Sequence, residues 1–193
     1  MTTHHTAKVE GLDVFYREAG DSSHPKLLLL GGFPASSHQF RNLIPALADR
    51  FHVLSPDYPG FGNTDMPDPA TWNYTFDHLA EIVDGLLATV GFTGPMGIYM
   101  QDYGGPIGNR LIHKHPDWLQ WQVIQNANSY EEGFTETWDG IRHVLWSGGP
   151  EGSHLRAPAD PCVTVSRYTA PVILTTRNRA PRPSGRIAGG AGR

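Results

Sequence analysis

A single acid, Asp102, stands between a short apolar run and a glycine-rich helix start, in Tyr99-Met100-Gln101-Asp102-Tyr103-Gly104-Gly105-Pro106. No other stretch restricts the fold as much. A strand that turns straight into a helix fits only where the residues two and three positions on are small, and here they are Gly104 and Gly105. The acid is then lifted above the end of a buried strand, with its carboxylate exposed. Taken alone, D-x-G-G also suits a structural turn in any α/β protein, so the remainder of the chain has to decide.

The surrounding sequence alternates between strand and helix signals. Val9 to Arg17 alternates apolar and polar residues and predicts an early antiparallel strand or hairpin. Gly20 to Pro25 is a polar turn. Lys26-Leu27-Leu28-Leu29-Leu30 is continuously apolar and stops at Gly31-Gly32, as a parallel strand buried on both faces does. Ser36-Ser37 can cap a helix carrying Phe40, Leu43, Ile44 and Leu47, and Pro45 delays or kinks it. Phe51 to Ser55 is a second buried strand. Tyr74 to Val90 is the clearest helix, with Phe76, Leu79, Ile82, Val83, Leu86, Leu87 and Val90 on one face. Met96 to Met100, Pro106 to His115 and Trp121 to Gln125 then give strand, helix and strand. The order predicts a doubly wound, mostly parallel sheet in the α/β class, with no internal repeat.

Composition limits what such a chain does. A net charge of −4 gives no reason to expect nucleic acid or an anionic membrane as a partner. The longest aliphatic run, Leu27 to Leu30, is far too short to span a bilayer. Met1 to Lys8 lacks the apolar core of a signal peptide, and its His4-His5 pair reads as solvated. The one cysteine, Cys162, allows no internal disulfide and no multi-cysteine metal site; it suits a reducing compartment and a cytoplasmic location. The average also hides a split near Trp146. Residues 1–146 hold 8 Lys+Arg against 17 Asp+Glu, whereas residues 147–193 hold 7 Arg, 2 acids, 6 Pro and 7 Gly, without the apolar periodicity that builds a core.

Three loops follow predicted strand ends, where open parallel sheets place their sites. They are Gly31-Gly32-Phe33-Pro34-Ala35-Ser36-Ser37, Asp57-Tyr58-Pro59-Gly60-Phe61-Gly62-Asn63-Thr64-Asp65-Met66-Pro67, and the turn at Asp102. In order and spacing they resemble the α/β-hydrolase superfamily, in its haloalkane dehalogenase and soluble epoxide hydrolase branch. The first resembles that branch's H-G-x-P loop and the second its D-x-x-G-x-G-x-S-x-x-P signature, with Thr64 in the Ser position. Gln101-Asp102-Tyr103-Gly104-Gly105 resembles the Q-D-W-G-G nucleophile elbow. Asn126-Ala127-Asn128 after the next strand is also similar to that group. The resemblance runs from about Val9 to Trp146.

The resemblance implies that Asp102 attacks an electrophilic carbon of a small-molecule epoxide or alkyl halide, giving an alkyl-enzyme ester. A histidine-activated water, with a second acid orienting the histidine, would then hydrolyse it. The backbone N–H groups of Phe33 and Tyr103 would form the oxyanion hole, and no metal or organic cofactor is implied. Several positions depart from the pattern. Gly31 replaces the usual His, Tyr103 replaces the halide-binding Trp, and Phe33 replaces an Asn or Glu; the last two weaken the halide case. Asn126 takes a place where some relatives carry the second acid, but it has no charge to supply.

The family order is nucleophile, acid, histidine, so the missing partners are sought after Asp102. His113 and His115 end the helix after the elbow and read as solvated or helix-capping. His143 falls in the amphipathic stretch Thr137 to Trp146, where the family's cap would begin, and His154 in the Pro/Gly/Arg-rich segment. The later acids Asp117, Glu131, Glu132, Glu136, Asp139, Glu151 and Asp160 lack a strand-end context. The sequence therefore predicts an α/β-hydrolase fold truncated after its fourth parallel strand, without cap, second acid or catalytic histidine. Residues 1–146 are the N-terminal part of the domain, and 147–193 form a disordered or frameshifted tail; a genuine short variant with a basic tail is the rival account. Val163-Thr164-Val165 and Pro171-Val172-Ile173-Leu174 are the tail's only strand-like runs. The functional expectation is a weakly active or inactive Asp-nucleophile hydrolase. The alternatives are a non-catalytic α/β binding protein and an aggregation-prone fragment whose sheet has an unprotected parallel edge. Oligomeric state cannot be read from the sequence.

Overall fold

The computed structural model describes residues 1–127 and the strand Ile173–Thr176. Seven strands form one sheet in the order β1-β2-β4-β3-β5-β6-β7. They are β1 Thr3–Val9, β2 Leu12–Ala19, β3 Lys26–Leu30, β4 His52–Pro56, β5 Met96–Gln101, β6 Leu119–Gln125 and β7 Ile173–Thr176. The central four, β4-β3-β5-β6, run parallel, while β1, β2 and β7 pair antiparallel with their neighbours. The helices are α1 Leu43–Leu47, α2 Phe76–Thr89 and α3 Gly104–Lys114, and a short 3-10 segment, Ser37–Phe40, precedes α1.

The unbroken leucine run is explained by burial on both faces. Leu28 and Leu30 pack with Leu79, Ile82, Leu86, Ile107 and Leu111 of α2 and α3. Leu27 and Leu29 face the other way, onto Phe40, Ile44 and Val53. All four leucines are at most 3% exposed. Crossovers on opposite faces are what a doubly wound sheet requires.

Four elements differ from the sequence expectation. The alternation from Val9 hides a hairpin turn at Glu10 and Gly11, both with positive φ, so β1 lies earlier and includes His4 and His5. That strand is polar and mostly exposed, and an edge strand needs no apolar face to be held by its neighbour's backbone. The helix after Ser36 divides: Ser36 accepts from the His38 N–H to start the 3-10 segment, and α1 begins at Leu43, two residues before Pro45. Third, α3 begins at Gly104 rather than Pro106, because Gly105 N–H already bonds the Asp102 carbonyl at 2.9 Å. Finally, Ile173–Thr176 is a strand, and it covers the outer edge of β6 from Trp121 to Ile124. That edge is therefore not bare along those four residues. Val163–Val165, the stretch from Thr137 to Trp146, Asn128, His143, His154, and the acids from Glu131 to Asp160 lie outside the described residues.

Candidate active site

The loops leaving β3, β4 and β5 emerge at the same end of the sheet and meet around Asp102. That residue has φ +51°, a left-handed conformation that costs a non-glycine residue about 1–3 kcal/mol and that Asp tolerates better than most. The turn stays closed because its neighbours are small. A Cβ on Gly104 would collide with the Leu30 carbonyl, and one on Gly32 would lie 2.7 Å from Asp102 Oδ1. Glycine at 32 lets the β3 loop approach close enough for its backbone to reach the carboxylate.

Two backbone groups bind that carboxylate. Phe33 N–H donates to Oδ1 at 2.9 Å and Tyr103 N–H to the same oxygen at 2.8 Å. The three residues singled out from the sequence, Phe33, Asp102 and Tyr103, are thus brought together. Among the described residues both hydrogen bonds go to Oδ1, and Oδ2 receives none. Burial raises the Asp102 carboxyl above the usual carboxylate range, while the two N–H groups pull it back down.

Aromatic rings line the site. Phe33 stacks on Tyr103 at 5.6 Å and meets Phe61 edge-on at 6.0 Å; Phe76 meets Tyr103 edge-on at 4.8 Å. Phe33 is 62% exposed despite its size, so one face of this cluster is open. Tyr58 lies behind, fully buried, and its hydroxyl donates to the Gly31 carbonyl at 3.1 Å. Burial, then the charges of Asp102 and Asp57, push its phenol well above the ordinary range. Burial and Asp102 push Tyr103 the same way.

The loop after β4 supplies the frame. Asp57 is 1% exposed, and its Oδ1 and Oδ2 accept from Ser37 N–H at 2.6 Å and Asn63 N–H at 2.9 Å. Thr64 Oγ1 donates to the Asp57 carbonyl at 2.8 Å and accepts from Phe15 N–H at 2.9 Å. The 57–67 signature is therefore a clamp that joins two loops and strand β2. This role of Asp57 was not anticipated. The available signal was its position, an acid directly at a strand end followed by two spaced glycines.

The described histidines beyond Asp102 sit elsewhere. His115 closes the far end of α3, stacks on Trp118 at 3.9 Å and pairs with Asp84 at 2.8 Å; His113 is exposed nearby. Both stand at the far end of the 11-residue helix α3, about 15 Å along its axis from the elbow. Asn126 follows β6 with φ +45°. Among the described residues no group of three His, Cys, Asp or Glu side chains could hold a metal ion, and no helix is long and apolar enough to cross a membrane.

Comparison with known proteins decides the family. The family model described as the alpha/beta hydrolase fold matches residues 25–145. The chain belongs to that family. An uncharacterized hydrolase of Saccharomyces cerevisiae, YNR064C, is 44% identical over 137 residues, which cover 71% of this chain and 46% of the relative. A soluble epoxide hydrolase of Corynebacterium sp. is 34% identical over 155 residues, covering 76% and 51%. Among solved structures, the haloalkane dehalogenase DbeA of Bradyrhizobium elkani superposes with a TM-score of 0.62 at 29% identity, covering 66% of this chain and 42% of that one. The chain spans about half the length of the curated relatives it matches. Within the hydrolase family its likeness is to the dehalogenase and epoxide hydrolase branch.

Proposed function

We propose that Asp102 is the nucleophile of an ester-forming hydrolase acting on an epoxide or an alkyl halide. The observation that carries this is the asymmetry of its hydrogen bonds among the described residues: Oδ1 holds two N–H groups and Oδ2 none. In the first step an Oδ2 lone pair forms a C–O bond to the electrophilic carbon. The C–halogen bond breaks to release halide, or the epoxide C–O bond breaks to an alkoxide that takes a proton from solvent. Oδ1 becomes the carbonyl oxygen of the ester. When water then adds to the Asp102 carboxyl carbon, charge develops on Oδ1, where Phe33 and Tyr103 N–H already point. The donors need not move between the resting carboxylate and the oxyanion.

The rings of Phe33, Phe61, Phe76 and Tyr103 favour a neutral, apolar substrate. Tyr103, with no indole N–H, favours the epoxide over the halide. Hydrolysis of the ester needs a base to take a proton from water, and His113 and His115 are at the wrong end of α3. Among the described residues no histidine after Asp102 is placed to act as that base, so the expected outcome is a single alkylation of Asp102 that then stalls.

Mass spectrometry after exposure to a reactive epoxide or haloalkane tests this reading. One equivalent on the peptide containing Asp102, absent from Asp102→Asn, supports it. Ligand binding that ignores Asp102→Asn, with no adduct, would instead establish a binding protein on a hydrolase scaffold. Sustained turnover retained after replacement of all four later histidines would overturn the account of the second step.

A further inference from the structure

The back of the β3 loop contains a packing arrangement that the proposed chemistry does not use. A Cβ on Gly31 would collide with the Gln39 side-chain Nε2, would lie 3.0 Å from its Cδ, and would touch the Phe40 ring at 3.4 Å. The Gln39 carboxamide therefore fills the volume that a side chain at position 31 would take. Its Nε2 is buried and has no hydrogen-bond partner among the described residues. A buried amide without a partner is costly, so its placement needs a reason other than its own bonding.

The residues around Gln39 hold it firmly. Ser37 N–H is bound by Asp57, and Phe40 is buried and meets the Tyr99 ring edge-on at 5.5 Å. On the other side of the contact, Gly31 is followed after one residue by Phe33, whose N–H reaches Asp102 Oδ1. Tyr58 hydroxyl fixes the Gly31 carbonyl, and Ala35 N–H bonds the Gly32 carbonyl at 2.9 Å. On the side where a Gly31 side chain would stand, the Gln39 carboxamide is in close contact with the loop.

We propose that Gln39 is a positioning residue that acts by volume, pressing Gly31 forward so that Phe33 N–H stays on Asp102 Oδ1. This rests on the reading of Phe33 as a donor to Asp102, but not on Asp102 being a nucleophile.

The test follows the Asp102 carboxyl carbon by NMR in the full 193-residue chain labelled with carboxyl-13C aspartate, assigned by its loss in Asp102→Asn. The phenols of Tyr58 and Tyr103 face this carboxylate, and both are pushed up, so neither changes charge in the carboxylate window. Gln39→Ala should raise the titration midpoint by about half a pH unit or more, because one N–H that favours the ionised form is lost. Gln39→Met keeps the volume without the amide and should leave the midpoint at its original value. Gly31→Ala should also raise it, and the double variant Gly31→Ala with Gln39→Ala should return towards the parent, because the new methyl has room. An unmoved midpoint in folded Gln39→Ala, or an equal rise in Gln39→Met, overturns the proposal. If Gln39→Ala alone does not fold, the double variant decides: a midpoint no nearer the parent than that of Gly31→Ala also overturns it. No electrophile is present, so this measurement can fail while Asp102 is still alkylated, and can succeed when it is not.

Discussion

Asp57 and Asp102 directly follow β4 and β5, the two parallel strands that flank β3, and each accepts two backbone N–H groups, yet they are built for opposite ends. Asp57 spreads its bonds over both oxygens and is closed off from water, so neither oxygen is free to react. Asp102 gathers both bonds on Oδ1 and, among the described residues, leaves Oδ2 unbonded, in a site where the rings of Phe33 and Tyr103 stack. The same kind of donor, a backbone N–H, in the same number makes a structural tie in one place and a candidate nucleophile in the other. Distribution over the two oxygens, rather than the count of bonds, separates them.

The largest expected effect breaks the comparison at its candidate nucleophile. Asp102→Asn should lower the rate of covalent labelling on the order of 10³-fold or more while leaving the fold intact, as read by mass spectrometry beside circular dichroism. Asp57→Asn should do the converse. Either Ser37 N–H or Asn63 N–H would then face an amide NH2, and urea denaturation should show a loss of about 3 kcal/mol. If Asp57→Asn proves as stable as the parent, the clamp assignment is wrong.

Smaller effects sharpen the contrast. Thr64→Val removes the donor to the Asp57 carbonyl and the acceptor for Phe15 N–H, and should cost about 1–2 kcal/mol in the same urea measurement; Thr64→Ser should recover most of it. The smallest effect concerns pH. The folded state raises the Asp102 carboxyl pKa, so it binds that proton more tightly than the unfolded chain does. This contribution to stability is fully present below the unfolded value, near pH 4, and is lost as pH rises through the folded one. Asp102→Asn should therefore melt higher than the parent at pH 7, and the gain should disappear below about pH 4. A gain that persisted in acid would assign the effect to the backbone at φ +51° instead.

Much of this site was legible because its constraints are local. The small residues after Asp102, the glycine pair after Leu30 and the spaced glycines after Asp57 each mark a tight turn at a strand end, and strand order then brings the turns together. Phe33 and Tyr103 came instead from the resemblance to the hydrolase family, which implies that their N–H groups face the acid, and both do donate to Asp102 Oδ1. What could not be read depends on contacts between segments distant in sequence. Gln39 touches Gly31 only because the 3-10 segment folds back under the β3 loop, and a polar residue there carries no periodic signal. β1 was missed because an exposed edge strand lacks an apolar face, whereas its partner β2 was legible through the alternation that includes Leu12, Val14 and Tyr16.

The tie between Thr64 and Phe15 has a further consequence, for the order in which the chain assembles. Asp13 N–H also donates to Asp65 Oδ2 at 2.7 Å, and Asp57 N–H to the Phe15 carbonyl at 2.9 Å. These bonds join residues 42 to 52 positions apart, so the rim around Asp102 is held by the first hairpin of the chain as well as by its own neighbours. The loop after β4 can take its final shape only once β2 has docked along β4. Trimming or loosening the N-terminal hairpin should therefore disturb the site from the opposite edge of the sheet, although none of its bonds touches Asp102.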